Sequence, residues 1–226
     1  MISCSRLTRE FRGPAGPVRA LDDVMLACER GESLVIHGAS GSGKSTLLLT
    51  LGGLLRPDSG TVVLNGQDLY ALDGRKRALV RGRQIGFVFQ LFHLVPYLSV
   101  LENVMEGGTD PGEASLRRRA SALLEELGLA NRSAHRPSEL SAGEKQRTAL
   151  ARALVKSPAV ILADEPSGNL DPDNAAMVFR RLEAFRAAGG TVLTATHGHE
   201  ADAFATRIFQ MKGGRLMAAD ANAVIA

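Results

Sequence analysis

Short apolar runs, each bounded by glycine or polar residues, recur along the chain and predict β-strands. The runs at 159–163 and 191–195 are almost continuously apolar, which is typical of parallel strands buried on both faces. A run at 61–64 leads into Asn65-Gly66, a pair typical of turns. Six runs predict strands in this way: residues 18–28, 33–36, 61–64, 84–90, 159–163 and 191–195.

The periodicity changes from strand-like to helical between about residue 91 and residue 158. Within that interval a flexible connector is expected at 106–112, and Gly128 is expected to end the helix that follows it. One face of that helix carries Leu116, Ala120, Leu123, Leu124 and Leu127.

A further helix is predicted after the strand at 159–163. Asp171 is suited to cap it and Pro172 to begin it. Its apolar side carries Val178, Leu182 and Phe185. The order of the elements predicts an α/β core that is interrupted by a helical insertion.

Composition narrows the class of protein. The 226 residues are 45% apolar and 23% charged, which is ordinary for a soluble globular chain of one large domain or two small ones. The longest apolar stretch, 47–55, is far shorter than a membrane span of roughly 18 residues, and the first residues lack the apolar core of a signal peptide. We therefore expect a cytosolic chain whose contact with a membrane needs a partner.

The net charge and the cysteines do little to narrow the class of protein further. The net charge of +3 does not by itself indicate nucleic-acid binding. Basic clusters at 75–83 and 117–119 fit a solvated surface or, alternatively, proximity to phosphates or anionic lipid head groups. Cys4 and Cys28, far apart in a cytosolic chain, are expected to be reduced, and no zinc-binding spacing is present.

A glycine-rich segment between a predicted strand and a predicted helix is the most informative part of the chain. It reads Gly38, Ala39, Ser40, Gly41, Ser42, Gly43, Lys44 and Ser45. The glycines let successive backbone N–H groups surround one anion, and the helix N-terminus adds partial positive charge. Although a glycine-rich turn could match by chance, this context favours a P-loop that binds ATP or GTP, with Lys44 on the phosphates and Ser45 on Mg²⁺.

Two adjacent carboxylates follow the strand at 159–163. Ligands of parallel sheets lie at the carboxyl ends of strands, so Asp164 is placed to hold Mg²⁺ and Glu165 to polarise a water molecule. The alternative is a pair of solvated acids at a strand end.

The segment 140–147 has two interpretations, and both can hold at once. Ser141 and Glu144 have the spacing of a capping box at the start of an ordinary helix with Leu150 and Leu154 on its apolar face. The same geometry directs a serine hydroxyl and a helix N-terminus towards an anion.

Together these motifs resemble those of ABC ATPases. The P-loop, Gln90 after a strand, the segment 140–144, the Asp164-Glu165 pair, the segment 167–171 and His197 occur in the family's order and span nearly the whole chain. The amino-acid sequence at 52–57, 85–90 and 164–171 is similar to that of one subgroup, the lipoprotein-releasing, macrolide-export and cell-division ATPases.

The resemblance implies a P-loop NTPase fold with a RecA-like, mostly parallel sheet, an antiparallel β subdomain and a helical insertion. It implies a single domain over 1–226, with a nucleotide-binding core at 1–90 and 159–226 and a helical subdomain at about 91–158. It also implies a homodimer that sandwiches two ATP molecules, so that each P-loop faces the other subunit's signature loop, 141–144.

The resemblance also implies roles for residues. Glu165, His197 and Gln90 would be catalytic, with His197 at the γ-phosphate; Ser45, Gln90 and Asp164 would hold Mg²⁺. Phe11 would stack on adenine, although a core phenylalanine at a strand end fits nearly as well. The nucleotide-binding set would be Phe11, the P-loop residues Gly38 to Thr46 (Gly38, Ala39, Ser40, Gly41, Ser42, Gly43, Lys44, Ser45, Thr46), Ser141, Gly143, Glu144 and Asp171.

Three positions depart from the family's pattern. Ala142 stands where the first signature glycine is usual, and its methyl group could crowd the nucleotide or shift the loop. Glu144 replaces a commoner glutamine and Phe11 a commoner tyrosine. Because none of these changes touches Lys44 or the acidic pair, hydrolysis should survive. His197 and His199 could also suggest a metal site, but adjacent ligands on one loop are poor for zinc.

The partner implied by the resemblance is a separate transmembrane permease, which would hold the cytoplasmic chain at the inner face of the membrane. Its docking surface would include some of the apolar residues 91–98, most of which fit core packing as well. Two alternatives stay open: a signalling ATPase that regulates a cell-wall enzyme through a membrane partner, and a soluble ABC ATPase acting on DNA or ribosomes. The second is disfavoured by the lack of a long coiled coil or a second ATPase domain, so no nucleic acid is expected.

Overall fold

The computed structural model describes residues 1–13, 16–108, 112–168 and 170–218, which form an α/β fold of two sheets and six α-helices. The strands are β1 (Ile2–Gly13), β2 (Gly16–Cys28), β3 (Ser33–His37), β4 (Ser59–Leu64), β5 (Gln67–Asp68), β6 (Ile85–Val88), β7 (Val160–Asp164), β8 (Thr191–Thr196), β9 (Arg207–Lys212) and β10 (Arg215–Ala218). The helices are α1 (Lys44–Leu51), α2 (Gly74–Gln84), α3 (Val100–Met105), α4 (Glu113–Glu126), α5 (Ala142–Leu154) and α6 (Pro172–Ala187). The predicted fold class, with a mostly parallel sheet and an antiparallel one, is confirmed.

The larger sheet has the order β10-β9-β3-β8-β7-β6, and its strands are parallel except for β10 at the edge. Its registers place His37 opposite Thr196 and Asp164 opposite Ala195. The carboxyl ends of β3, β7 and β8 are therefore level with one another. Since ligands of parallel sheets bind at this edge, the segments that follow these three strands share one candidate site.

Alternate residues of the central strands pack into two different apolar cores. Leu34 and Ile36 of β3 belong to one core, while Val35 between them belongs to the other. Burial on both faces explains why these strands are apolar at nearly every position. The observed parallel pairing of β3, β7 and β8 confirms the prediction of parallel strands.

The smaller sheet is antiparallel, with the order β2-β1-β4-β5, and it shares the first of these cores through Ile2, Leu21 and Val62. The sequence predicted most of β2 and β4 but missed β1. The pairing of β1 with β2 shifts register three times between Cys4 and Glu10, and Arg6 has a positive φ of 52°. These irregularities break the two-residue alternation by which a half-buried strand is recognised.

Helix α2 was also missed, since none of its residues is buried and it therefore has no apolar stripe. It begins at a capping contact in which the side chain of Asp73 accepts a hydrogen bond from the backbone N–H of Lys76. The strand predicted at 84–90 is shorter, because Gln84 ends α2 and β6 covers only Ile85–Val88. The sequence pattern did not predict the hairpin of β9 and β10 either.

Helices α3, α4 and α5 lie in the interval where a helical insertion was predicted. Helix α4 buries Leu116, Ala120 and Leu124, and Gly128 follows it with a positive φ of 67°, as a residue that ends a helix requires. Residues 91–99 form no helix, in contrast to the prediction. The connector predicted at 106–112 includes residues 109–111, which lie outside the described part of the chain. Among the described residues no helix is long and apolar enough to cross a membrane.

A buried asparagine organises the segment between β6 and α3. Asn103 is fully buried, and its side-chain oxygen accepts a hydrogen bond of 2.7 Å from the Val95 N–H. Its amide group donates to the carbonyls of Val95, Leu98 and Ser99 at 3.1, 3.1 and 2.9 Å. One side chain thus satisfies the polar backbone of a loop that has no regular structure of its own.

We predict that Asn103→Ala lowers the free energy of unfolding by about 2–3 kcal/mol, because it leaves buried backbone groups without partners. Urea denaturation checks this. Glu106→Ala changes an exposed residue just after the same helix and should stay within about 0.5 kcal/mol of the parent. Equal losses in the two variants would contradict the role given to Asn103.

Candidate active site

The P-loop occupies residues 38–43 between β3 and α1, as predicted. Gly41 and Gly43 have positive φ values of 78° and 109°. A Cβ at Gly43 would lie 2.2 Å from the Ala20 carbonyl, and one at Gly38 would lie 2.5 Å from the Met211 carbonyl, so both positions require glycine. Within the part of the chain that the structure describes, no side chain caps α1. The first N–H groups of that helix therefore remain available to an anion.

Lys44, the first residue of α1, is almost completely buried beside this loop. Its ammonium group donates hydrogen bonds to the carbonyls of Gly38 at 2.6 Å and Ala39 at 3.3 Å. Its nitrogen also lies 3.6 Å from a carboxylate oxygen of Glu165. The lysine is thus held as a fixed positive charge within the curve of the P-loop.

Asp164, at the end of β7, has the features of a cation ligand. Burial raises the pKa of its carboxyl group above the usual value, while a hydrogen bond with the Ser45 hydroxyl opposes that rise. Its Oδ1 atom is buried and lacks a hydrogen-bond partner among the described residues. A partnerless carboxylate oxygen beside a hydroxyl is a donor set that suits Mg²⁺.

Glu165 links the lysine to the predicted histidine. Its Oε2 atom lies 2.9 Å from His197 Nδ1 and accepts a 3.3 Å hydrogen bond from the His197 N–H, while its Oε1 atom faces Lys44. Glu165 also has a positive φ of 47°, a strained conformation for a non-glycine residue. The strand end therefore turns sharply and directs this carboxylate between two groups that can carry positive charge.

Lys44, Glu165 and His197 line one cleft of about 610 Å³. At its mouth lies Phe11, with a 39% exposed ring and the Arg9 guanidinium 5.0 Å from the ring centroid. Gln90, from the segment after β6, lines another wall. The lining is formed by Phe11, Ala20, residues Ala39 to Thr46, Gln90, Glu165 and His197.

Six predicted site residues are not among the described residues that line this cleft. Gly38 and Asp164 directly precede the lining residues Ala39 and Glu165, whereas the other four, Ser141, Gly143, Glu144 and Asp171, belong to α5 or cap α5 and α6. Ser141 and Glu144 form the predicted capping box at the start of α5. The Ser141 N–H and then the Arg132 guanidinium, at 2.9 Å, hold the pKa of Glu144 below its usual value. Asp171 caps α6, also as predicted.

Asn174, which the sequence analysis missed, connects two of these residues. Its backbone and side-chain N–H groups donate to Asp171 at 2.9 and 2.6 Å, and Arg147 donates to its side-chain oxygen. A Cβ added at Gly143 would lie 2.6 Å from the Asn174 side chain, so a close approach of α5 to α6 requires that glycine. The contact joins residues from separate elements, and nothing in the local sequence indicates it.

Gln146 is a second residue that the sequence did not indicate. Its fully buried side chain donates a 2.8 Å hydrogen bond to the carbonyl of Pro166, immediately after Glu165. Helix α5 therefore starts at the predicted signature loop and also contacts the segment that carries the acidic pair. Ala142, the departure from the family's pattern, is exposed at the start of this helix, and Asn169 lies outside the described residues.

A larger cleft of about 750 Å³ lies among α4, the end of α5 and α6. Its lining includes Arg119, Leu123, Arg181 and Phe185 but none of the P-loop residues. We assign the active site to the smaller cleft, because that cleft contains the glycine-rich loop, the helix N-terminus and the acidic residue that contacts Lys44.

Known proteins are similar to this chain over most of its length. The model of the ABC transporter family matches residues 21–168. A macrolide export ATP-binding/permease protein, MacB, of Burkholderia pseudomallei (strain 1710b) is 43% identical over 219 residues, covering 96% of this chain and 34% of that protein. MacB of Burkholderia thailandensis is 42% identical over the same shares. The chain thus spans about a third of the length of these curated relatives.

Two solved structures are similar over nearly the whole chain. A dimeric structure of MJ0796, described as a bacterial ABC transporter cassette, is 35% identical with a TM-score of 0.90, and the match covers 96% of both chains. A dimeric post-hydrolysis state of MJ0796 bound to ADP and Pi is 33% identical, also with a TM-score of 0.90, covering 96% of this chain and 98% of that one.

We predict that Asp164→Asn stabilises the protein in the absence of metal and nucleotide. A raised folded-state pKa means that ionised Asp164 destabilises the fold above that pKa, and that this penalty disappears as the pH falls through it. The variant should gain about 1 kcal/mol in unfolding free energy at pH 8 and less at pH 4, close to the ordinary pKa of an aspartate. Urea denaturation in a chelating buffer at both pH values measures the difference.

Asp23→Asn is the matched control, because Asp23 is exposed and asparagine tolerates its positive φ of 53°. Its effect should be small at both pH values. If Asp164→Asn is less stable than the parent at pH 8, burial of this charge does not destabilise the fold.

Proposed function

Because the chain belongs to the ABC transporter family and is one of its ATPase cassettes, we propose that it binds and hydrolyses ATP to drive conformational change in a membrane permease. The observation that carries the chemistry is the contact of Glu165 with both Lys44 and His197 beside the P-loop. Phosphoryl transfer needs little covalent help from a protein, and this arrangement provides positioning and charge instead.

In this proposal the P-loop glycines and the N-terminus of α1 bind the phosphate groups, and Lys44 neutralises charge on the transferred one. Glu165 accepts a hydrogen bond from the attacking water and orients it. As the water oxygen bonds to the γ-phosphorus, the water passes one proton to the Glu165 carboxylate, and the bond from that phosphorus to the β,γ-bridging oxygen breaks. ADP and phosphate then leave, and Glu165 releases the proton to solvent.

His197 has two roles in the proposed reaction. With Nδ1 on the Glu165 carboxylate, its Nε2 remains available for the γ-phosphate. A single side chain thereby fixes the base and contacts the group that the water attacks. When Mg²⁺ is bound with the nucleotide, it supplies positive charge at the phosphate oxygens, and Ser45, Asp164 and Gln90 are the residues that would hold it.

Residues 141–144 and Asp171 act across a dimer interface in this proposal. They lie outside the cleft of their own subunit, and both similar structures of the MJ0796 cassette are described as dimeric. Two ATP molecules between two chains would place the N-terminus of each α5 at the nucleotide of the other chain. Closure excludes water and strengthens the charges in both sites.

The exposed apolar residues between β6 and α3 are the proposed contact with the permease. Leu91 is 71% exposed and Tyr97 is 74% exposed. They follow Gln90, a residue of the cleft wall, and the Arg152 guanidinium holds the Phe92 and His93 carbonyls of the same segment at 2.6 and 2.5 Å. The segment is therefore fixed to α5 while two large apolar side chains face solvent.

Export is the role that the relatives support. The aligned region, which is 43% identical to MacB, spans nearly all of this chain and about a third of MacB. The match does not extend to the remaining two thirds of MacB, so the proposal covers the energy-supplying role and not macrolides as the substrate. In the proposed complex the chain lies at the inner face of the membrane through its permease.

We predict that Glu165→Gln lowers steady-state ATP turnover by at least about 100-fold while leaving ATP affinity nearly unchanged. A dimer should accumulate with ATP in size-exclusion chromatography, because bound nucleotide is not consumed. Glu200→Gln, which alters an exposed carboxylate three residues after His197, should turn over ATP normally. Normal turnover in Glu165→Gln would show that another group orients the water.

Lys44→Ala should instead lose nucleotide binding, because it removes the buried positive charge of the P-loop. Equilibrium binding of a fluorescent ATP analogue separates this defect from that of Glu165→Gln. Unchanged affinity in Lys44→Ala would contradict the assignment of the phosphate site.

The partner is tested by affinity isolation from detergent-solubilised membranes of the native host, with mass spectrometry of the bound proteins. We expect a permease, and we expect Leu91→Glu to reduce its recovery several-fold. Leu79→Glu, a change at an exposed leucine of α2, is the control and should retain it. Recovery of nucleic acid without any membrane protein would contradict the transporter role.

A further inference from the structure

A cluster of two histidines and an aspartate lies beside the active site. His37 is the last residue of β3, and His199 and Asp202 belong to the segment after β8. One ligand atom from each of the three lies within 4.8 Å of the others. The histidines are 162 positions apart in sequence, so the cluster is a product of the fold.

Parallel pairing explains how the fold brings these residues together. The register of β3 with β8 places His37 opposite Thr196, the last residue of β8. The chain then turns back, with a 3.1 Å hydrogen bond from the Asp202 N–H to the His199 carbonyl. Both side chains of that turn thereby return to the end of β3.

The carboxylate of Asp202 lies between the two imidazoles. Its Oδ1 atom is 2.6 Å from His37 Nε2, and its Oδ2 atom is 2.8 Å from His199 Nδ1. The two rings lie 4.8 Å apart between centroids. His37 is buried, its Nδ1 atom has no hydrogen-bond partner among the described residues, and Asp202 is only 13% exposed.

This combination differs from an ordinary surface ion pair. Two nitrogen ligand atoms and one oxygen ligand atom lie within 4.8 Å of one another, and the side chains of His37 and Asp202 are both largely buried. His199 is 82% exposed, so an ion could reach the cluster from solvent on that side. Three protein ligands with an accessible fourth position form the donor set of many zinc sites.

We propose that His37, His199 and Asp202 form a binding site for a transition-metal dication, with Zn²⁺ as the best match. Imidazole nitrogens favour Zn²⁺, Co²⁺, Ni²⁺ or Cu²⁺ over Mg²⁺, which prefers oxygen ligands. The site is therefore chemically distinct from the Asp164 and Ser45 pair. It also differs from the pairing of adjacent histidines on one loop, since the essential ligand comes from β3.

Metal at this site would connect two segments that flank the nucleotide cleft. His37 directly precedes Gly38 of the P-loop, and His199 follows His197 by two residues. A bound ion would fix the 197–202 segment to the end of β3 through metal–ligand bonds, which are less easily broken than the present hydrogen bonds. The expected result is reduced local opening of that segment.

The test uses the full chain after treatment with a chelator and without any nucleotide, so it does not depend on the proposed ATPase function. Zn²⁺ is titrated in competition with a chromophoric chelator, and Co²⁺ is added separately to record its visible absorption bands. We expect one Zn²⁺ per chain at this site. Hydrogen exchange of the 197–202 amides should slow when Zn²⁺ is added.

His199→Asn and Asp202→Asn should each weaken Zn²⁺ binding at least about ten-fold and abolish the Co²⁺ bands and the slowed exchange. His199 is exposed, so its variant should fold, and circular dichroism verifies this. His93→Asn, which changes an exposed histidine outside the cluster, is the control and should bind Zn²⁺ like the parent.

Two outcomes would overturn the proposal. The first is unchanged Zn²⁺ affinity in both variants, which would place the ion elsewhere, for example on Asp164 and Glu165. The second is the absence of Zn²⁺ binding by the parent in the competition assay. Binding at the cysteines is disfavoured, because both are buried and burial raises the pKa of the Cys4 and Cys28 thiols to about 12, away from the thiolate form that binds Zn²⁺.

Discussion

The parallel register of β3, β8 and β7 is the constraint on which the site depends. It brings the ends of three strands to one level, so that the P-loop, the acidic pair and His197 meet although they are distant in sequence. The strands have few polar side chains with which to fix this register. Their apolar residues do so instead, since alternate positions enter different cores and a slip by one residue would exchange the two faces.

The same edge of the sheet contains residues whose backbone conformation or burial lowers the stability of the fold. Glu165 has a positive φ, and Asp164 has a buried carboxylate oxygen without a hydrogen-bond partner among the described residues. Such features persist only where the surrounding structure is stable enough to maintain them. Here two extensive cores on either side of the sheet provide that stability, and the destabilising groups lie at the proposed nucleotide site.

Much of this arrangement follows from the sequence, because the central strands, α1 and the caps at Ser141 and Asp171 depend on local patterns. Elements without a local pattern were missed. Helix α2 has no buried face, and β1 is interrupted by changes of register. The contacts of Asn174 with Gly143, of Gln146 with Pro166 and of His37 with Asp202 join distant segments, so they emerge only from the three-dimensional fold.

In the proposed dimer, the contacts of helix α5 would couple the two nucleotide sites to each other. Its first turn packs on Asn174, and Gln146 in its second turn binds the carbonyl that follows Glu165. In the proposed dimer that first turn would sense the nucleotide of one site, while Gln146 belongs to the other. Coupling free energy between sites is reciprocal, so the occupancy of either site would shift the affinity of its counterpart by the same factor.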